Sequence, residues 1–154
     1  MLLSAGLTSP ALPLWLALQL APPALSAPAA PADRVPLYAT TEPLIGGPAF
    51  LALHVCIRHG DLLIDFVPRR PTALETTAGL LSGGGVAGQI RCRPAGASVA
   101  SERWRLLGYS ARSTEEMEAY ARRQSDVLSL RTNNCWTFAR AVVDYAQSEL
   151  EGSR

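Results

Sequence analysis

The chain of 154 residues has no lysine; all 14 of its basic residues are arginines. Schiff-base chemistry and P-loop phosphate binding both need a lysine amine, so neither is available. A coding bias toward Arg and Ala accounts for the deficit without a functional cause. Charge is scarce altogether, at 18% of residues with a net of +1. That leaves no basic footprint for nucleic acid and no acidic, solvating tail. Three cysteines are too few for a disulfide-stapled miniprotein and too scattered for a zinc finger. The length allows one domain and no second core of ordinary size.

The first 32 residues carry no charged side chain, and 24 of them are Leu, Ala or Pro. An apolar stretch from Ala11 to Leu20 precedes small residues, the order of a secretory signal peptide. Ala24-Leu25-Ser26 and Ala27-Pro28-Ala29 fit its cleavage site. No basic residue precedes the apolar stretch, and Pro10 and Pro13 interrupt a helix there. Residues 1–32 are expected to be a targeting leader directing secretion, with a plastid or other organelle, or a disordered or loosely anchored leader, as the alternatives. A spanning helix needs about 20 uninterrupted apolar residues, and the prolines at 10, 13, 22 and 23 exclude one. Residues 33–48, with prolines at 36, 43 and 48, read as linker, and 49–154 as the folded domain.

Within that domain, Phe50 to Arg58 and Leu62 to Val67 are apolar, β-prone runs around a turn. They predict a hairpin. A short helix is expected over Ala73 to Ser82, closed by Gly83-Gly84-Gly85. Val86 to Arg93 and Trp104 to Tyr109 are candidate strands. Ser113 and Glu116 have capping-box spacing, and the helix they open carries Met117, Tyr120, Ala121 and Leu128 at helical intervals. A last helix should run from Cys135 to about Leu150, capped by Asn133 or Asn134. Cys135, Phe138, Ala139, Val142 and Ala146 form its apolar stripe. The expected fold is α+β, a small antiparallel sheet packed against two C-terminal helices.

Chemistry converges on Cys135. At a helix start, unpaired N–H groups and the helix dipole favour a thiolate, the nucleophilic form of cysteine. Of the two histidines, His59 falls in the expected turn and reads as solvated, whereas His54 lies inside an apolar strand. A His59-Gly60 turn sets His54 across from Asp65, on one face and close enough for the acid to orient the imidazole. A Gly60-Asp61 turn pairs Asp65 with Cys56 instead. The plainer alternatives are a hydrogen-bonded core histidine, an inert cysteine, and an Asp65 paired with Arg58, Arg69 or Arg91.

The segments LHVCIRHGDLLIDFVP and LRTNNCWTFARAVVDY, in that order, resemble the permuted branch of the papain-like thiol enzyme superfamily. This branch includes lecithin:retinol acyltransferase-like, PPPDE and NlpC-type proteins. In it a strand carrying the His precedes the helix carrying the Cys. Asn134-Cys135 matches its Asn-Cys helix start, Phe138 the Phe three residues on, His54 the strand His, and Asp65 the polar third residue. Thr137 stands where a His or Asn often does. IDFVPRRPT, SGGGVAGQIR and NNCWTF are most similar to small plant and algal members of unassigned function. The resemblance covers about residues 50–148 and implies a permuted papain-like fold with a Cys–His–Asp arrangement.

The Gly-rich run at 82–88 lacks a following Lys-Ser/Thr and reads as a flexible turn. His54 and Cys56 are the only close pair among the zinc-type ligands, so no metal site and no cofactor are expected. In an exported protein, Cys56 and Cys92 could form a disulfide, leaving Cys135 free. Arg91, Arg93, Arg103 and Arg105 read as a solvated strand face, with binding of an acidic substrate or lipid headgroup as the alternative. Two functions follow. One is a thiol hydrolase or acyltransferase acting on a small-molecule, lipid or peptide amide, ester or thioester. In it Cys135 is the nucleophile, His54 the base and Asp65 the orienting acid, with backbone N–H groups near Asn134 and Cys135 holding the oxyanion. The other is a catalytically inactive binding or scaffold domain of the same fold.

Overall fold

The computed structural model describes residues 33–43, 54–96 and 104–148. The expected leader and its cleavage sites lie outside these residues, as do residues 50–53 and the end of the last helix at Leu150. Along the chain come β1 (Val35–Glu42), β2 (His54–His59), β3 (Leu62–Pro68), α1 (Leu74–Leu81) and β4 (Val86–Pro94). Then follow β5 (Arg105–Ser110), α2 (Thr114–Arg122), β6 (Val127–Leu128) and α3 (Cys135–Gln147). The strands form one antiparallel sheet in the order β5-β1-β2-β3-β4-β6. The α+β class expected from the sequence is the observed one.

Apolar residues on one face of the sheet, among them Leu37, Val55, Ile57, Ile64 and Phe66, pack with Met117 and Ala121 of α2 and Phe138, Ala139, Val142 and Ala146 of α3. Burying such side chains contributes roughly 1.5–3 kcal/mol each, before the entropy of ordering the chain is counted. Phe66 and Phe138 meet with ring centroids 5.4 Å apart. Phe66 pairs with Ile90 of β4, and the diagonal β4 position is Gly88, where a Cβ would collide with the Phe66 ring, so only glycine admits that ring. Tyr120 of α2 stacks on Tyr145 of α3 at 4.0 Å.

Several local expectations need correction. Residues 35–42, read as linker, are a strand between β5 and β2. Pro36 is the second residue of that strand and Pro43 follows its end, and alternation buries Leu37 and Ala39 on the core face. The capping box of Ser113 and Glu116 forms as expected, but α2 ends at Arg122. Leu128 belongs to β6 and reaches the core from there.

The hairpin turn is Gly60-Asp61, with His59 paired to Leu62. Gly60 has φ +56, while no non-glycine residue among those described has positive φ. Glycine at the first loop position with positive φ is the pattern of a type II′ turn, which suits the twist of the flanking strands. Placing the glycine second, as the His59-Gly60 turn requires, forfeits that match.

The turn also decides His59, which is a fully buried residue of β2 and not a solvated one. Neither ring nitrogen makes a hydrogen bond among the described residues. Burial lowers its pKa, with slight opposing support from the Arg112 backbone. The folded protein thus holds a neutral imidazole that the unfolded chain protonates below about 6.5. Stability is expected to fall as pH drops from 7 to 5. His59→Leu should flatten that fall and raise stability at pH 5 by roughly 1–3 kcal/mol, the cost of an unsatisfied buried polar group. Urea denaturation at both pH values measures it.

Candidate active site

Side-chain alternation puts His54, Cys56 and Asp65 on the sheet face opposite the helix-covered core. Register brings Thr40, Cys56, Asp65 and Arg91 into one row across β1–β4. Asp65 therefore faces Cys56 directly, as the Gly60-Asp61 turn requires. The directly opposed His54 and Asp65 of the other register are not observed. The pair nevertheless survives, because moving the turn by one residue displaces the pairing by two and keeps the face. His54 becomes a diagonal neighbour, and its Nε2 stands 3.4 Å from Asp65 Oδ2.

Asp65 is 1% exposed and is the hub of the site. Arg91 grips it with both prongs, Nε to Oδ1 at 2.7 Å and Nη2 to Oδ2 at 2.5 Å. Arg93 Nη2 adds a contact to Oδ2 at 3.4 Å. Burial on its own disfavours the carboxylate. Hydrogen bonds from His54 and Arg91, then their charges, outweigh it and hold the Asp65 pKa at about 2. Arg91 was one of three arginines the sequence offered as partners; only the sheet register singles it out.

Cys135 opens α3 as expected. Asn134 is the N-cap: Oδ1 accepts from the Trp136 and Thr137 amides at 2.9 and 3.1 Å. The Asn134 amide in turn donates to Thr137 Oγ1 at 2.9 Å, completing a capping box. Its Nδ2 donates to the Leu130 carbonyl at 2.9 Å. The Asn134 N–H, expected to help hold an oxyanion, is thus engaged in the cap. Asn133, the other candidate cap, ties the preceding loop instead, donating from Nδ2 to the Val127 carbonyl at 2.7 Å.

The Cys135 thiol and the His54 imidazole are neighbours, joining the first residue of a helix to the first of a strand. Burial pulls the His54 pKa down. The hydrogen bond with Asp65, a hydrogen-bonding contact with Cys135, and the charges of both raise it overall to about 9. Nε2 belongs to Asp65, and Nδ1 is buried without a partner at ordinary hydrogen-bond geometry. The other two thiols are poor nucleophiles. Burial, with the Asp65 charge beside it, pushes Cys56 up to about 12. Burial also raises Cys92.

The Cys56–Cys92 disulfide considered for an exported protein does not form. Cys56 pairs with Asp65 while Cys92 pairs with Ile64, so they lie on opposite faces with β3 between them. Two strand spacings, about 10 Å, exceed the reach of a disulfide. None of the three cysteines is in a disulfide. No cluster of three metal-ligating side chains occurs among the described residues. No helix among them is long and apolar enough to cross a membrane. No protein-family model, curated protein or solved structure matches the chain.

Proposed function

We propose that the protein is a thiol-dependent hydrolase or acyltransferase acting on an amide, ester or thioester. The observation that carries this reading is a single imidazole flanked by a buried carboxylate on Nε2 and by a helix-opening thiol. Nδ1 is the ring nitrogen left to exchange a proton with Cys135. The Sγ forms a bond to the carbonyl carbon as His54 holds the thiol proton. The bond to the leaving group then breaks, and the imidazolium returns that proton to the departing atom. A water or an acceptor hydroxyl, deprotonated by His54, attacks the thioester and releases the thiol. Because the Asn134 amide is occupied, oxyanion stabilisation falls to the N-terminal end of the α3 dipole. The strand-His, helix-Cys order and the resemblance to permuted papain-like enzymes support the same assignment.

One observation favours an inactive binding domain of the same fold. Asp65 is held more closely by Arg91 than by His54, as a structural ion pair would be. Peptide-resolved labelling at pH ~6, well below the free-thiol pKa of about 8.5, separates the two. Iodoacetamide is expected to modify Cys135 first, and hydrolysis of a p-nitrophenyl ester should vanish in Cys135→Ala with the far-UV spectrum unchanged. Labelling confined to Cys56 or Cys92 overturns the enzyme reading.

A further inference from the structure

We infer that Arg93, backed by Arg91, forms an oxyanion-binding subsite beside the Cys135–His54 pair. The substrate would then carry a carboxylate or phosphate near its reactive carbonyl. This deepens the catalytic reading above and rests on it for the word substrate, but the binding claim stands on its own geometry.

Three cations, His54, Arg91 and Arg93, converge on one carboxylate oxygen, Oδ2 of Asp65. Among the described residues, the other acid whose charge reaches this part of the sheet is Glu42 of β1, opposite His54 and felt by Arg91 and Cys56. A protonated His54, Arg91 and Arg93 bring three positive charges against the two of Asp65 and Glu42, before any charge on Cys135 is counted. The two arginines are used unequally. Arg91 spends two donors in a bidentate grip on Asp65. Arg93 makes one long contact through Nη2, and its side chain is 47% exposed. Among the described residues no other acceptor claims its remaining N–H donors.

Arg93 is also supported from the side. Register puts it in one row with Leu63 and Arg58, whose guanidinium lies 6.0 Å from the centre of the Tyr38 ring. The acid near Arg58, Asp61 at 3.9 Å, is almost wholly exposed and screens it little. A planar guanidinium with unspent donors beside a second cation suits bidentate capture of a carboxylate or phosphate. Arg93 and His54 touch the same Asp65 oxygen, so an anion held there lies next to the imidazole.

The test compares alkylation of Cys135 in the full chain by anionic iodoacetate and neutral iodoacetamide, as a ratio of rates. Taking the ratio removes intrinsic thiol reactivity, so a sluggish Cys135 defeats the catalytic reading without touching this one. Relative to free cysteine, the ratio is expected to favour iodoacetate by roughly tenfold at low salt and to fall toward the free-thiol ratio in Arg93→Gln. Succinate or inorganic phosphate should slow the reaction of the wild type, and that protection should be lost in Arg93→Gln. Protection by succinate alone identifies a carboxylate ligand, and by phosphate alone a phosphoryl ligand. A free-thiol ratio in the wild type, a ratio unchanged by Arg93→Gln, or protection by neither anion overturns the subsite. Arg93→Lys keeps the charge but not the fork, and should restore the iodoacetate preference more fully than anion protection.

Discussion

His54→Ala is expected to slow iodoacetamide alkylation of Cys135 near pH 6 by on the order of a hundredfold, the low end of what a positioned base contributes. In the wild type the imidazolium beside the thiol persists through neutral pH, because Asp65 and Cys135 outweigh burial and raise the His54 pKa to about 9. Removing the ring removes that cation and the base that interacts with the thiol. Ester hydrolysis should fall further, by roughly 10²–10⁴, since the same ring must also protonate the leaving group. The pH profile carries a second signature. The leaving group needs the imidazolium, so turnover should decline as pH rises through about 9. The sign for stability is the same. A raised His54 pKa stabilises fully below about 6.5 and loses that contribution as pH climbs through 9. An alkylation profile identical in wild type and His54→Ala would leave the His54–Cys135 contact without chemical consequence.

Arg91→Met should destabilise the fold by roughly 3 kcal/mol, and more than Asp65→Asn does. The asymmetry follows from burial. Asp65 is 1% exposed, whereas the Arg91 side chain is 31% and the Arg93 side chain 47% exposed. Deleting the arginine leaves a carboxylate in the interior with two contacts of 3.4 Å. Deleting the carboxylate charge leaves guanidinium groups that can turn to water, so its cost is discounted to about 1–2 kcal/mol. Acid sensitivity separates them as well. The Asp65 pKa, lowered to about 2, contributes stability above about 3.8 that is lost as pH falls through 2. Arg91→Met should move that loss to higher pH, and Asp65→Asn should abolish it. Paired denaturant titrations at pH 7 and pH 3 measure both effects. An Asp65→Asn variant less stable than Arg91→Met would mean that the carboxylate is held by something other than its arginines.

Elements set by local chemistry were legible in the chain itself. Ser113 and Glu116 announce a helix start because their reciprocal bonds need only a three-residue spacing. The stripe of Phe138, Ala139, Val142 and Ala146 reveals the core face of α3 for the same reason. Residues 35–42 look like linker in the sequence because prolines signal loops on average, and only neighbouring β5 and β2 show that Pro36 sits where a strand tolerates it. His59 looks solvated only under a turn displaced by one residue, an error that moves it from the strand into the loop. The φ preference of Gly60 resolves that error once the hairpin closes.

The candidate site divides along the same line. Sequence alone singled out Cys135 as a helix-opening thiol and His54 with Asp65 as polar intruders in apolar strands. Their sharing of a face survived the register error because strand alternation has a period of two. Everything that joins strands distant in sequence needed the tertiary structure. Arg91 became the clamp on Asp65 because the β3–β4 ladder sets it directly opposite across 26 positions of chain. The same ladder separates Cys56 from Cys92, and the capping box of α3 withdraws the Asn134 amide. Local sequence encodes dihedral preference and periodicity, which act over a few residues. Pairing and charge balance depend on which strands become neighbours, and that is decided only when the sheet assembles.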